Sequence, residues 1–142
     1  MYTMYGECRG IAKMKIKWNE LPDNFRLEMI AAILKLYSSF NPIDVAVLWW
    51  SLGAFDAPFD TLLSSELVIS LFKAIMRTLP DMKASEISKT LWGLSCTGLS
   101  WDELPSGLKW SVPILCFLLR QVFSYDNMLN LTIFLLLILY CV

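Results

Sequence analysis

Segments of this chain recur at a nearly constant interval, and that recurrence constrains the fold more than any other feature. KWNELP at 17–22, PFDTLL at 58–63 and SWDELP at 100–105 align, so Trp18, Phe59 and Trp101 follow one another at intervals of 41 and 42. LWWSLG at 48–53 aligns with TLWGLS at 90–95, which puts Trp50 and Trp92, and likewise Leu52 and Leu94, at a spacing of 42. The two aromatic landmarks keep the same nine-residue offset in both copies. One further step of 42 lands the register on Phe134 and Leu136; a step of 41 backward lands it on Arg9 and Ile11. Self-similarity of this kind marks a chain built from one supersecondary unit whose neighbours bury each other's apolar faces.

Each unit reads as two helices. Asn41 is suited to an N-cap, Pro42 to the first helical position, and Asp44 to the reciprocal bond of a capping box. The helix they open runs to about residue 55, with Val45, Leu48, Trp49 and Leu52 at i, i+3, i+4 and i+7 on one apolar stripe. Its counterpart covers 85–96, with Ile87, Leu91 and Leu94 inward. The second helix of each unit follows the W-x-x-L-P element. It is expected over 22–38 with Leu27, Ile30, Leu34 and Tyr37 on one face, over 64–79 with Leu67, Leu71 and Ile75, and over 105–123. Pro22 and Pro105 suit helix starts, where a missing N–H costs nothing, whereas Pro113 should kink the last helix. Trp18 and Trp101 fall between helices and read as structural wedges. Trp49 lies on the stripe, and Trp50, about 100° round the helix, is expected to pack on the neighbouring unit. No segment alternates with period two. The expected fold is all-α, an α-solenoid of about three helical hairpins (about 9–50, 51–92 and 93–126) followed by an apolar helix or tail over 127–142.

That tail, 127–142, is uncharged throughout and ends in LTIFLLLILYCV. A helix of this length spans about 24 Å, short of the roughly 30 Å of a bilayer core. A buried last helix, a C-terminal membrane anchor and a tail foreign to the domain are three readings of it. Asn130-Leu131-Thr132 matches a glycosylation sequon by chance alone, since residues 1–17 lack the apolar stretch of a secretory signal.

Composition narrows the function classes. Hydrophobic residues make up 56% of the 142 and charged residues 18%, against about 45–50% and 25% in ordinary soluble domains, which excludes global disorder. Histidine is absent, and with it Ser-His-Asp and Cys-His catalysis and His-containing metal sites. Cys8, Cys96, Cys116 and Cys141 form no C-x-x-C pair and read as reduced, buried small side chains. The six glycines are dispersed, with no phosphate-cradling loop. Glu20, Asp23, Asp102 and Glu103 lie near helix starts, where carboxylates complement the helix dipole. Ser64, Ser65, Ser95 and Cys96 lack an adjacent base. No enzyme, cofactor, metal or small-molecule substrate is expected.

The pattern of Thr90, Leu91, Trp92, Gly93 and Leu94 followed by Trp101, Leu104 and Pro105 resembles the heptatricopeptide and octotricopeptide repeats. Trp18, Leu21, Pro22, Leu48, Trp50 and Leu52 extend the resemblance, which covers about residues 9–124. It implies helical hairpins in a longer RNA-binding protein of a mitochondrion or plastid. Such proteins act in transcript processing, stability or translation, often with a terminal RAP domain, of which no counterpart is visible here. The chain is then a fragment of such a protein. The middle copy departs from the pattern, with Asp56-Ala57-Pro58-Phe59 in place of the Gly-x-x-Trp form and Leu63 in place of proline.

RNA-reading solenoids present polar side chains from one helix of each pair to bases and basic groups to phosphates. The outward candidates are Asp44, Ser51, Glu86, Ser88 and Lys89. Arg9, Lys13, Lys15 and Lys17 form a basic run, either a solvated tract or a lip for phosphates. Residues 41–105 carry four basic and eight acidic groups, a net charge of −4, so single-stranded RNA is expected to bind weakly and salt-sensitively. The alternative is a protein-interaction α-solenoid, membrane-associated through 127–142 rather than simply intracellular.

Overall fold

The computed structural model describes residue 10 and residues 12–57, 65–98 and 104–109. Every regular element among the described residues is helical, and none is a strand. The chain divides into two compact units, residues 1–98 and 99–142.

Among the described residues of the first unit the longer helices are α1 (Asp23–Leu36), α2 (Pro42–Ala54), α3 (Ser65–Thr78) and α4 (Ala84–Cys96). Single 3₁₀ turns cover Trp18–Glu20, Tyr37–Ser39 and Leu79–Asp81. Each boundary in the second half repeats one in the first at a spacing of 42: 23 and 65, 36 and 78, 37 and 79, 39 and 81, 42 and 84, 54 and 96. The expected helices over 22–38, 64–79 and 85–96 thus appear with small changes, the first ending in a 3₁₀ turn. In the second unit residues 106–109 make one helical turn, whose Leu108 and Lys109 amides donate to the Pro105 carbonyl at 2.9 and 3.1 Å. The rest of the helix expected over 105–123, its Pro113 kink and the tail 127–142 lie outside the described residues. No described helix is long and apolar enough to cross a membrane.

Local chemistry explains the helix starts. Asn41 Oδ1 accepts from the Asp44 amide at 3.0 Å while Asp44 Oδ2 accepts from the Asn41 amide at 2.9 Å, with Pro42 just inside the start. At α4, Glu86 holds the position of Asp44 and accepts from the Lys83 amide at 2.7 Å. The entry residues Phe40 and Met82 are extended and buried, and each follows a 3₁₀ turn that ends the preceding helix.

The core forms around α2. Val45, Ala46, Val47, Leu48, Trp49, Ser51, Leu52 and Gly53 are all buried, so this helix is enclosed on nearly every side. Its most extensive packing is against α4, and it also meets α3, which in turn packs on α1 and on the Tyr37–Ser39 turn. Leu67, Leu71 and Ile75 face inward from α3, and Ile87, Leu91 and Leu94 from α4, as the stripes require. Trp49 meets Phe72 of α3 with ring centroids 6.1 Å apart.

At the α2–α4 crossing the backbones nearly touch. A Cβ on Gly93 would stand 2.1 Å from the Trp49 carbonyl oxygen, and one on Gly53 would stand 2.9 Å from the Gly93 Cα. Glycine at these two positions is what permits the approach.

Two further contacts join segments about one repeat apart. The Arg77 guanidinium of α3 donates to the Tyr37 and Phe40 carbonyls at 2.9 and 2.8 Å. The Trp18 amide donates to the Phe55 carbonyl at 2.7 Å, and the two rings meet at 6.4 Å. Trp18 is buried there, which fits a wedge.

One stripe is corrected. Leu27 is 66% exposed, Ile30, Leu34 and Tyr37 are half-buried, and the fully buried residues of α1 are Met29 and Ile33. Between Leu27 and Leu36 apolar residues surround this helix, interrupted only by Glu28 and Lys35. Its periodicity therefore does not select a face, and packing against α3 decides it.

Candidate nucleic-acid interface

α2 and α4 lie side by side, and together they present one accessible face. On α2 it carries Ile43, Trp50 and Ala54, at spacings that return to the same side of a helix. On α4 it carries Ser85, Ser88, Lys89, Trp92 and Ser95. Trp50 and Trp92 meet across the two helices with ring centroids 6.4 Å apart and planes inclined by 32°, so Trp50 packs against α4. The position a Gly53 Cβ would take is only 3.1 Å from Trp92 Cζ3. The Trp92 ring therefore lies over a position with no side chain, beside Trp50, and the residue remains 38% exposed.

Charge on this face is sparse. Lys89 is exposed one turn before Trp92. The carboxylates carried by α2 and α4 are Asp44 and Glu86, both in the first turn and both bonded to cap amides. Glu86, expected outward, is buried in that role.

The expected contact residues divide. Lys89 is exposed on the face. Ser88 is half-buried, and its hydroxyl donates to the Ala84 carbonyl at 2.9 Å. Ser51 is corrected: it is fully buried, its hydroxyl oxygen has no hydrogen-bond partner, and it cannot reach a base. It lies in a helix enclosed by neighbours, where a polar side chain does not mark an outer face. Lys13, Lys15 and Lys17 are exposed in the segment leading to Trp18. Lys17 Nζ pairs with Asp56 Oδ2 at 2.7 Å, which ties the run to the end of α2. Arg9 lies outside the described residues.

Among the repeat-signature residues, Trp18, Leu21, Leu52 and Leu94 are buried. Pro22 caps α1, and Leu104 and Pro105 are half-buried. Phe59 and Trp101 lie outside the described residues. Sequence reasoning did not find the exposure of Trp92. Ser85, Ser88, Lys89 and Ser95 at helical spacing around it were the available signal.

Other chemistry is limited. Burial, reinforced by the Asp56 carboxylate and opposed by a hydrogen bond with Ser95, pushes the Cys96 thiol above its ordinary 9.0. It is a poor nucleophile at neutral pH. Among the described residues no group of three His, Cys, Asp or Glu side chains could hold a metal ion. Comparison with protein-family models, curated proteins and solved structures gives no match.

Proposed function

We propose that the chain is a segment of an α-solenoid that binds single-stranded RNA, of the kind acting in organellar RNA processing, stability or translation. The observation that carries this reading is the packing of α2 on α4, two helices whose boundaries differ by one repeat step. Equivalent helices side by side are how a solenoid builds a continuous face from successive repeats. The Arg77 and Trp18 contacts, each reaching from one hairpin to the next, support the same stacking. Lys13, Lys15 and Lys89 supply phosphate contacts, Ser88 lies beside Lys89 on α4, and the tryptophans offer a surface for bases. The organellar setting rests on the repeat resemblance.

Titration of the chain with a labelled single-stranded RNA across a salt series tests the reading. Binding should weaken with salt, and the Lys13→Glu, Lys15→Glu, Lys17→Glu triple variant should flatten the log–log slope by about 2 or more, about one for each phosphate left unneutralised by Lys13 and Lys15. No binding at low salt removes the proposal.

One observation favours a protein-interaction scaffold as the second reading. Leu27 on α1 and Ile69 on α3 are 66% and 52% exposed and occupy equivalent positions, one repeat step apart. They place an apolar row along the second helices. Membrane association through 127–142 belongs to this reading.

A further inference from the structure

We infer that Trp92, backed by Trp50 and flanked by Lys89, is a stacking platform for a base of single-stranded RNA; this rests on the RNA-binding reading above. A useful platform needs a ring that is held in place and still accessible. Trp92 meets both requirements. Trp50 lies against it at 6.4 Å, Gly53 leaves room beneath its six-membered ring, and 38% of the residue remains accessible. A ring fixed before binding loses little side-chain entropy when a base arrives. Base–aromatic stacking tolerates any base, because every base has a π-face.

The charge pattern selects an anionic strand over a neutral apolar segment. Lys89 is exposed one turn from Trp92, on the same side of α4. The carboxylates of α2 and α4, Asp44 and Glu86, are both held at the helix starts by cap amides, and Glu86 is buried. A nucleotide stacked on Trp92 could therefore set its phosphate toward Lys89, and the acidic group of α4, Glu86, is buried at the helix start.

The test uses the whole chain and an oligouridylate of about twelve nucleotides, with a strand of the same length lacking bases as comparison. Trp92→Ala should weaken oligouridylate binding about tenfold and leave the salt slope unchanged, while Trp92→Phe retains most of the affinity. Lys89→Gln should instead reduce the salt slope by about 1. The wild type should prefer the strand with bases, and Trp92→Ala should lose that preference. If the wild type binds RNA but Trp92→Ala, with unchanged circular dichroism, binds equally well, the platform is refuted and the RNA reading survives. If Trp92→Ala does not fold, the two strands decide: equal wild-type affinity for both refutes the platform. No wild-type binding to either strand at low salt refutes the platform and the RNA reading together.

Discussion

Gly93→Ala should be the most damaging single-methyl change in the first unit. On helix propensity alone it should stabilise α4 by about 1 kcal/mol. Geometry opposes that gain. The added Cβ would stand 2.1 Å from the Trp49 carbonyl oxygen and 2.3 Å from its carbonyl carbon. Real Cβ contacts do not fall below 3.0 Å. The obstacle is backbone inside a buried helix, so no side-chain rotation relieves it. The backbone of α2 or α4 must shift by close to 1 Å at this point, the difference between 2.1 and 3.0 Å. A gap of about 0.5–1 Å already forfeits a quarter to a half of the dispersion well for each atom pair. Overpacking typically costs about 1–3 kcal/mol, and immovable backbone places this site at or above the upper end. After the propensity gain, the net loss should be about 2–3 kcal/mol. At about 4–8 °C per kcal/mol for a unit of this size, the midpoint should fall by roughly 8–24 °C. Gly53→Ala is the internal control. Its nearest neighbours are the Gly93 Cα at 2.9 Å, the Cys96 Cβ at 3.1 Å and the Trp92 ring at 3.1 Å. A few tenths of an ångström suffice there, and the net change should be within about 1 kcal/mol of zero. Thermal and urea denaturation of both variants measure the difference. Gly93→Ala as stable as wild type, or less damaging than Gly53→Ala, would refute the close crossing.

Replacing Arg77 with methionine removes two bonds to the Tyr37 and Phe40 carbonyls. It should lower the urea midpoint by an amount equivalent to about 1 kcal/mol with m unchanged, a modest figure because Arg77 is an exposed residue. Ser51→Ala should be neutral or stabilising by up to about 1 kcal/mol, since it deletes a buried hydroxyl with no partner; a clear loss in the same titration would mean the hydroxyl is bonded. For Cys96, the raised folded-state value means that above about pH 9 the unfolded chain releases this proton first. Its contribution therefore lowers stability as pH rises through that range, and Cys96→Ala should flatten the alkaline side of the stability profile.

The helix boundaries were legible because their determinants are local. Asn41, Pro42 and Asp44 fix the start of α2 within a single turn of chain, and the start of its counterpart, expected at 85, falls one residue earlier at Ala84. Faces were legible where polar residues interrupt the apolar ones, as on α3, where Leu67, Leu71 and Ile75 are the buried stripe. They were not legible on α1, where apolar residues occur on every side. Ser51 failed for the complementary reason. The run Val45-Ala46-Val47-Leu48-Trp49-Trp50 already signals a helix enclosed all round, and in that setting one serine says nothing about solvent. The Arg77 contacts and the glycine crossing depend on groups nearly a full repeat apart in sequence, and no local pattern encodes them.

Location also changes the weight of net charge. Residues 41–105 sum to −4, a figure that argues against a phosphate backbone if the charge is spread evenly. It is not spread evenly. Asp44 and Glu86 are bonded to cap amides, and Asp56 is paired with Lys17. Glu66 and Asp81 belong to α3 and the turn after it, and Asp60, Asp102 and Glu103 lie outside the described residues. The face formed by α2 and α4 presents Lys89 and two tryptophans. Over a Debye length of about 8 Å at physiological salt, a bound strand responds to the charges within reach rather than to the sum over the chain. The objection from net charge therefore bears on long-range attraction and the rate of encounter. On the proposed reading, affinity at the α2–α4 face depends instead on how much of it comes from stacking, which salt does not screen.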